Sequence, residues 1–349
     1  MDKYSKIFQS TLAKVVITVL AISLFMSGFI FFDAYKRQAF RIKSYYWVYK
    51  GDKALKKEDL QNAIYYYEKA VKLYPGHYRA LYNLANIYVV YEDYYSAIKN
   101  YEKALLVKPD FEIARIDYAL ILSEVYRVDD AINEYKKVLE YKPRFIKIPF
   151  LVDNKKTYEH NRGVALYNMG LAYRTKSLLA GLDDKQSRKC LQEAAKSYEK
   201  ATDILKSYNS NYNLALIYQL LKESNQSAYY YCKAIELEPM EYEAHFNYAV
   251  LLNDLKDYAG AQEEFKKAGL LLDSKGDAPK TKYIYGLLNE VNAKTVIHGQ
   301  KPAELPSETF KYKNGKLVTE AITNKKGDVE LYKSFSICAN KGKYVGGGK

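Results

Sequence analysis

The chain has 349 residues and a mass of 40.4 kDa, which exceeds the usual size of one domain and fits either two domains or a repeat array. With 48% hydrophobic and 27% charged residues, the composition excludes collagen-like, low-complexity and wholly disordered chains. The net charge of +13 would suit an anionic membrane surface or nucleic acid, but charge does not specify a fold. Tyrosine is unusually abundant, with 38 residues, which indicates a scaffold that uses one aromatic side chain repeatedly.

Residues 15–32 carry no charge, and this run is close to the minimum length of a helix that crosses about 30 Å of hydrocarbon. A basic segment precedes it, so a cleaved secretory signal is one alternative. The run is longer than the apolar core of most signals, however, and no small-residue cleavage site closes it. A buried helix of a soluble domain would need apolar neighbours on every side. We therefore predict an uncleaved transmembrane helix in a single-pass membrane protein.

The orientation of this predicted span is nearly balanced, because three lysines precede it and four basic residues follow it. Lys14 adjoins the span on its amino-terminal side, whereas Asp33 is the first residue beyond it. This difference favours an amino terminus inside the cell and the remaining chain on the extracytoplasmic side. We expect the basic residues after the span to face lipid headgroups. They are Lys36, Arg37, Arg41 and Lys43.

The chain beyond the span repeats with a period of 34 residues. Three columns of identical residues show this period: Ala63, Ala97 and Ala131; Tyr67, Tyr101 and Tyr135; Pro75, Pro109 and Pro143. The pattern of small, large aromatic and closing proline residues resembles the tetratricopeptide repeat, in which each unit is a hairpin of two antiparallel helices. The resemblance implies an all-α fold, namely a right-handed superhelical solenoid of hairpins with a concave groove, preceded by one transmembrane helix.

The repeats and their interruptions predict the organisation of the chain. A short basic segment (1–14), the transmembrane helix (15–32) and a juxtamembrane helix or linker (33–43) precede repeats 1–3 (44–145). A basic connector (146–162) leads to repeat 4 (163–207), whose second-helix signature is displaced along the sequence, which predicts a lengthened turn. Repeats 5 and 6 (208–275) are followed by a capping helix (276–299). A basic tail (300–349) is expected to be largely disordered, with brief strand-like alternation.

Catalytic and metal-binding patterns are missing from the sequence. Cys190, Cys232 and Cys338 are far apart and form no C-x-x-C pair, so we expect free thiols rather than a disulfide framework or a zinc site. The four histidines have no metal-binding spacing, and no phosphate-binding glycine loop or nucleophile motif occurs. The sequence therefore predicts a protein with no cofactor, no metal and no enzymatic activity.

Two positions on the first helix of each repeat fall outside the packing pattern and are candidates for partner contact. The fifth position is mostly aromatic, and the sixth carries a short amide or carboxylate. The candidate groove residues are Tyr82, Asn83, Asn86, Asp117, Tyr167, Asn168, Tyr212, Asn213, Phe246 and Asn247. The sixth-position series resembles the asparagine ladder in the repeat domain of the O-linked N-acetylglucosamine transferase, where such amides hold the backbone of an extended peptide. Alternatively, these amides bond only to a neighbouring helix, and both interpretations stay open.

The resemblance implies a membrane-anchored scaffold that binds an extended peptide segment of a partner protein in its groove and performs no chemistry. Two alternatives remain. One is an assembly or secretion factor that holds client proteins transiently, and the other is a non-catalytic nucleic-acid binder. The second is disfavoured because the sequence contains no named nucleic-acid recognition motif. The predicted partners are thus a protein or peptide and, through residues 15–32, a membrane.

Overall fold

The computed structural model describes residue 32, residues 35–142, 154–179 and 181–297, and two short strands at residues 312–313 and 316–317. The predicted transmembrane helix lies outside these residues apart from Phe32, so the anchor stays a prediction. Residues 146–153 of the connector, and the tail apart from the two strands, also lie outside them. In the described part of the chain, no helix is long and apolar enough to cross a membrane.

The chain divides into two compact bodies, Met1–Ile121 and Leu122–Lys349, called here the N-terminal and C-terminal bodies. The described helices that begin in the N-terminal body are α1 (35–55), α2 (Leu60–Leu73), α3 (Tyr78–Val90), α4 (Tyr94–Val107) and α5 (Glu112–Glu124). The predicted juxtamembrane segment is therefore helical from residue 35 and continuous with the first helix of repeat 1. Helix α3 packs on both α2 and α4. The repeated small and aromatic residues are fully or almost fully buried there, as in Ala63, Tyr67, Ala97 and Tyr101.

The C-terminal body contains eight described helices and one short antiparallel strand pair. They are α6 (Val128–Glu140), α7 (Asn154–Ser177), α8 (Asp184–Leu205), α9 (Tyr208–Leu220), α10 (Ser224–Leu237), α11 (Tyr242–Asp254), α12 (Tyr258–Ser274), α13 (Ala278–Ile297), β1 (Tyr312–Lys313) and β2 (Lys316–Leu317). Each helix from α6 to α12 packs on the next one along the chain. Such nearest-neighbour packing is the arrangement of a repeat solenoid, and it confirms the predicted all-helical hairpin fold in the described helices.

Side-chain caps mark the start of the second helix in repeats 1 and 2. The Asp59 carboxylate accepts a hydrogen bond from the backbone N–H of Asn62 at the start of α2, and Asp93 does the same for Ser96 at the start of α4. These bonds satisfy amide groups that have no partner inside the helix. Because the two acids stand one repeat apart, successive hairpins begin their second helix at the same place.

Repeat 4 begins earlier than the sequence predicts. Helix α7 starts at Asn154 rather than at residue 163, so part of the predicted connector 146–162 is helical. The Tyr158 hydroxyl donates to the Tyr141 carbonyl oxygen at 2.6 Å, and Arg162 Nη1 donates to the Leu139 carbonyl oxygen at 2.6 Å. Carbonyl groups at the end of a helix lack intrahelical donors. The extension of α7 supplies donors for the end of α6, which accounts for the early start.

The lengthened turn predicted for repeat 4 is instead mostly helix. Helix α7 continues to Ser177 and α8 already begins at Asp184, so the connection between them is short. The Asp183 carboxylate accepts from the Gln186 backbone N–H at 2.7 Å, and the Gln186 side chain accepts from the Asp183 N–H at 3.2 Å. This reciprocal capping box starts α8 well before its packing signature. The inserted residues therefore lengthen helices more than they lengthen the turn.

The turns inside the hairpins share one backbone conformation. A residue at the same repeat position lies in the left-handed region, with φ between 58° and 63°, in five of the hairpins: Glu58, Glu92, Tyr126, Lys222 and Lys256. The next residue in each turn closes it, as when the Asp93 N–H donates to the Tyr88 carbonyl oxygen at 2.9 Å. A left-handed conformation costs a residue with a β-carbon about 1–2 kcal/mol. Packing on both sides of the turn outweighs that cost.

The cysteines are not all free. Cys190 is a free thiol, whereas Cys232 is disulfide-bonded, which corrects the expectation for that residue. Cys338 lies outside the described residues. Separation along the sequence says little about distance after folding, and this explains why spacing alone was misleading.

A buried ionic cluster joins α11 to α12. Glu264 Oε2 lies 2.6 Å from His245 Nδ1, and Glu264 Oε1 accepts from Lys267 Nζ at 3.0 Å. Burial tends to raise the pKa of Glu264, but the hydrogen bond with His245 and the charge of Lys267 outweigh burial and hold that pKa below its usual value. His245 Nε2 also faces the Pro239 carbonyl oxygen at 3.0 Å. This histidine therefore has a structural role in repeat 6.

Candidate functional site

The ten candidate groove residues lie on the first helices of repeats 2–6, which are α3, α5, α7, α9 and α11. All ten are partly buried, so each keeps some accessible surface. The structure joins several of them in pairs, each pair linking the first helices of two consecutive described hairpins of one body. We call each hydrogen-bonded pair a rung.

Two consecutive rungs in the C-terminal body pair a tyrosine with the asparagine of the next hairpin. Asn213 Nδ2 donates to the Tyr167 hydroxyl at 3.0 Å, and Asn247 Nδ2 donates to the Tyr212 hydroxyl at 2.7 Å. The same nitrogen atoms donate to carbonyl oxygens one helical turn earlier, at 2.9 Å for Asn213 and 3.1 Å for Asn247. Both hydrogens of each amide are thereby used, which fixes the orientation of the side chain.

Each Tyr–Asn rung retains one hydrogen-bond donor and one acceptor. A phenolic oxygen that accepts from an amide still carries its own proton, and the amide Oδ1 still has its lone pairs. In the described part of the chain, neither group has a partner at Tyr167, Asn213, Tyr212 or Asn247. Burial raises the pKa of Tyr167 and of Tyr212, so both hydroxyls keep their protons at neutral pH. A rung can therefore donate to a carbonyl and accept from an N–H at the same time.

The N-terminal body contains a rung with the opposite hydrogen-bond direction. The Tyr82 hydroxyl donates to Asp117 Oδ2 at 2.8 Å. Burial raises the pKa of Asp117, and the hydrogen bond from Tyr82 only partly offsets this effect. Burial, with a contribution from the Asp117 charge, raises the pKa of Tyr82 to about 12. This rung uses the phenolic proton internally, so an ionised Asp117 leaves it with acceptors alone.

Asn83 and Asn86 are held by internal hydrogen bonds rather than by a rung. Asn86 Oδ1 accepts from the Tyr101 hydroxyl at 2.5 Å. Asn83 Nδ2 donates to Asp52 Oδ1 at 3.2 Å and to the Tyr67 hydroxyl at 3.0 Å, and that hydroxyl donates to Asp52 at 2.7 Å. Sequence reasoning missed Asp52 and Tyr67. The available signal was the polar residue that directly follows the small residue of the first helix in repeats 1 and 2, namely Asp52 and Asn86, which bond to the repeated tyrosines Tyr67 and Tyr101.

Asn168 and Phe246 take no part in a rung. Asn168 has no hydrogen bond within the described residues. The Phe246 ring packs edge-on against Phe265 at a centroid distance of 5.8 Å, and its tilted contact with Tyr283 spans 6.4 Å. As to metal sites, no group of three or more His, Cys, Asp or Glu side chains in the described ranges is placed to hold an ion.

Three segments of the chain match models of the tetratricopeptide repeat, at residues 45–77, 78–111 and 208–239. These are repeats 1 and 2 and repeat 5. The chain therefore contains tetratricopeptide repeats in both of its bodies, as the 34-residue period predicted.

Solved structures show similar folds at low sequence identity. PilW, described as a widely conserved type IV pilus biogenesis factor, has a TM-score of 0.51 and 16% identity, and the match covers 70% of this chain and 98% of PilW. PilF of Pseudomonas aeruginosa has a TM-score of 0.49 and 17% identity over 68% of this chain and 91% of PilF. A tetratricopeptide repeat protein of Parabacteroides merdae has a TM-score of 0.48 and 17% identity, and the match covers 72% of this chain and 93% of that protein. The likeness to PilW concerns the fold alone. No curated protein matches the sequence significantly.

Proposed function

We propose that the protein is a non-catalytic, membrane-anchored scaffold that binds an extended peptide segment of a partner protein along the first helices of its tetratricopeptide hairpins. The observation that carries this proposal is the pair of consecutive Tyr–Asn rungs in the C-terminal body. Each rung leaves a phenolic proton and an amide oxygen unused, and the two rungs are one repeat apart.

The unused groups fit a peptide main chain better than a charged side chain. A peptide unit presents one N–H and one C=O, and a rung presents the complementary acceptor and donor. The rung residues are uncharged, whereas capture of a carboxylate or phosphate relies on Arg or Lys. An extended segment is required because a helix would already use its main-chain groups.

Aromatic surface beside the rungs supplies apolar contact. The partly exposed Tyr212 ring stacks on the buried Tyr208 ring at a centroid distance of 5.6 Å with an interplanar angle of 7°. Phe246 directly precedes Asn247 in the sequence and is partly exposed. Such side chains add contact area to main-chain hydrogen bonds and would give the site a preference for apolar residues at intervals along the peptide.

The anchor in this proposal is supported by the uncharged run at residues 15–32 and by the basic residues that follow it. A tether to the bilayer raises the local concentration of partners that are already at that surface. Placement of the repeats on the extracytoplasmic side is supported by the charges next to the run. The disulfide-bonded Cys232 adds support, because disulfides persist in oxidising compartments.

A phage-displayed peptide library, selected on the detergent-solubilised full chain, tests the peptide site. The combined variant Asn213→Ala and Asn247→Ala should weaken binding of a selected peptide by about fivefold or more, since each lost hydrogen bond contributes about 0.5–1.5 kcal/mol. N-methylation of the peptide backbone at successive residues should have a similar effect at those N–H groups that contact a rung.

The matched control is Asn133→Ala with Asn225→Ala, which removes two exposed amides from the second helices α6 and α10 of the same body. This control should bind the peptide as the unsubstituted chain does. Circular dichroism verifies that helix content is unchanged in both variants. Undiminished affinity in the rung variant, together with indifference to N-methylation, would remove the rungs from the proposal.

A further inference from the structure

A cavity of about 410 Å³ lies between α1 and α2 in the N-terminal body. Its size falls within the range of small-molecule sites, about 300–1,000 Å³. Three lysines and three apolar side chains line it: Phe40, Lys43, Trp47, Lys69, Lys72 and Leu73. Neither the rungs nor the peptide proposal uses any of these residues.

Helical spacing places these side chains together. On α1, Phe40, Lys43 and Trp47 follow each other at intervals of three and four residues, so they share one face. On α2, Lys72 and Leu73 follow Lys69 by three and four residues, so both lie on the same face as Lys69. Each helix thus contributes both cationic and apolar groups to the same cavity.

The three lysines carry charge that no acidic side chain offsets. In the described part of the chain, none of them has a carboxylate within salt-bridge distance, whereas other lysines such as Lys137 and Lys196 pair with a glutamate on their own helix. Lys69 Nζ lies 4.6 Å from the centroid of the Trp47 ring. A cation over an aromatic face is stabilised without being neutralised, so it remains available to an anion.

The α1 side of the cavity is packed less completely than the equivalent position of repeat 2. Trp47 occupies the repeat position that Leu81 occupies in repeat 2, where Leu81 is only 1% exposed beside the packed helices α2 and α3. Trp47 stacks on Tyr66 at a centroid distance of 5.7 Å but stays partly exposed. Trp47 therefore keeps accessible surface at a repeat position where Leu81 has almost none.

Charge and chain direction identify the occupant. The segment before α1 is itself basic, with Lys3, Lys6 and Lys14, and a second copy would carry the same net charge of +13. Neither offsets three lysines. An amphiphile with an anionic head and an apolar tail would offset the charge of the lysines and fill the apolar part of the cavity. Such molecules are close by, because the predicted span ends directly before α1. Helix α1 also exposes Tyr35 and Ile42 at 74% and 64%, and exposed aromatic and apolar residues near basic ones are typical of a membrane interface.

We propose that this cavity binds an anionic phospholipid of the membrane in which the protein is anchored. Lys43, Lys69 and Lys72 contact the phosphate and headgroup, while Phe40, Trp47 and Leu73 contact the upper part of the acyl chains. The inference rests on the anchor in the proposed function and is independent of peptide binding. It adds a defined lipid-binding cavity to the general attraction between the basic residues after the span and lipid headgroups.

Trp47 is the only tryptophan of the chain, so its fluorescence reports on the cavity alone. The full chain is reconstituted into phosphatidylcholine vesicles that contain phosphatidylglycerol, with bromine on the upper acyl carbons of one lipid or the other. Brominated phosphatidylglycerol should quench Trp47 more than brominated phosphatidylcholine at equal bromine content, which corresponds to an enrichment of about fivefold or more beside the cavity. Equal quenching by the two lipids, or none by either, overturns the proposal.

The variant with Lys43→Gln, Lys69→Gln and Lys72→Gln should lose the preference for phosphatidylglycerol. Its matched control, Lys99→Gln, Lys103→Gln and Lys136→Gln, removes the same charge from exposed lysines of α4 and α6 and should retain it. If both variants lose the preference for phosphatidylglycerol, the preference comes from the overall charge of the protein, and the proposed lipid site is wrong. Inorganic phosphate in solution should leave the preference unchanged; if it abolishes the preference, the ligand is a soluble anion and the lipid assignment is wrong.

Alkaline extraction of the vesicles separates this proposal from the anchor. A chain that is extracted from the bilayer lacks the anchor. The same quenching comparison in mixed micelles of the two lipids then tests whether the cavity prefers the anionic lipid. A chain that resists extraction but shows no lipid preference retains the anchor and refutes the cavity. The peptide affinity measured above does not enter either decision.

Discussion

The two bodies of the molecule pack their hairpins alike, but the hydrogen bond of the Tyr–Asp rung in one body runs opposite to those of the Tyr–Asn rungs in the other. In the N-terminal body, Tyr82 gives its proton to Asp117, whereas in the C-terminal body Asn247 gives a proton to Tyr212. A carboxylate in place of an amide at one repeat position accounts for the reversal. Of the rungs formed by this nearly uniform series, the two in the C-terminal body therefore offer a free donor and acceptor, whereas the one in the N-terminal body does not.

Packing common to both bodies predicts the largest effect. Ala97 in the N-terminal body and Ala131 in the C-terminal body are fully buried at equivalent positions. Ala97→Leu and Ala131→Leu should each destabilise the protein by about 1–3 kcal/mol, because extra methylene groups overpack a close helix contact. Urea unfolding followed by circular dichroism measures this loss. An unchanged midpoint for either variant would mean that the two bodies do not share one repeat register.

Substitutions of the repeated tyrosines in the second helices should change stability by an intermediate amount that differs from one tyrosine to another. The Tyr101 hydroxyl donates to Asn86, but the buried Tyr198 hydroxyl has no partner within the described residues, because Leu171 occupies the position equivalent to Asn86. Tyr101→Phe should cost about 1 kcal/mol, whereas Tyr198→Phe should be neutral or slightly stabilising. The two variants make the same chemical change and serve as mutual controls in urea unfolding. Equal losses in both would contradict the assigned difference in hydrogen bonding between Tyr101 and Tyr198.

Asp117→Asn should have the smallest effect and should give the N-terminal rung the chemistry of its C-terminal counterparts. Because the folded protein raises the pKa of Asp117, the contribution of this group to stability is greatest at low pH and is lost as the pH rises through the raised value. The variant should therefore be more stable than the parent at pH 7 by about 1 kcal/mol or less, since it removes a buried charge. Unfolding curves from pH 7 down toward 3.8, the ordinary pKa of an aspartate side chain, should show this advantage shrinking. An advantage that grows on acidification would contradict the assigned direction.

The sequence was sufficient for the hairpins but not for the bonds between them. A fixed period with Ala63, Tyr67 and their equivalents reports contacts inside one hairpin, and these contacts recur with the residue pattern. The rung between Tyr167 and Asn213 joins residues that are 46 apart, across the irregular repeat 4, so no local pattern reveals it. The length of α8 was missed for a related reason, since its start depends on the Asp183 capping box rather than on the packing signature.

The shared turn conformation makes each hairpin adjustable without any change to its contacts. Glu92 and Lys256 hold left-handed backbone angles that glycine adopts freely, and replacing either one would ease local strain while leaving the helices' buried faces untouched. One such replacement by glycine in each body would stabilise one chosen hairpin against unfolding relative to the neighbouring hairpins. The stability of single hairpins can thus be changed one at a time along the chain. Such variants would show how unfolding spreads from repeat to repeat.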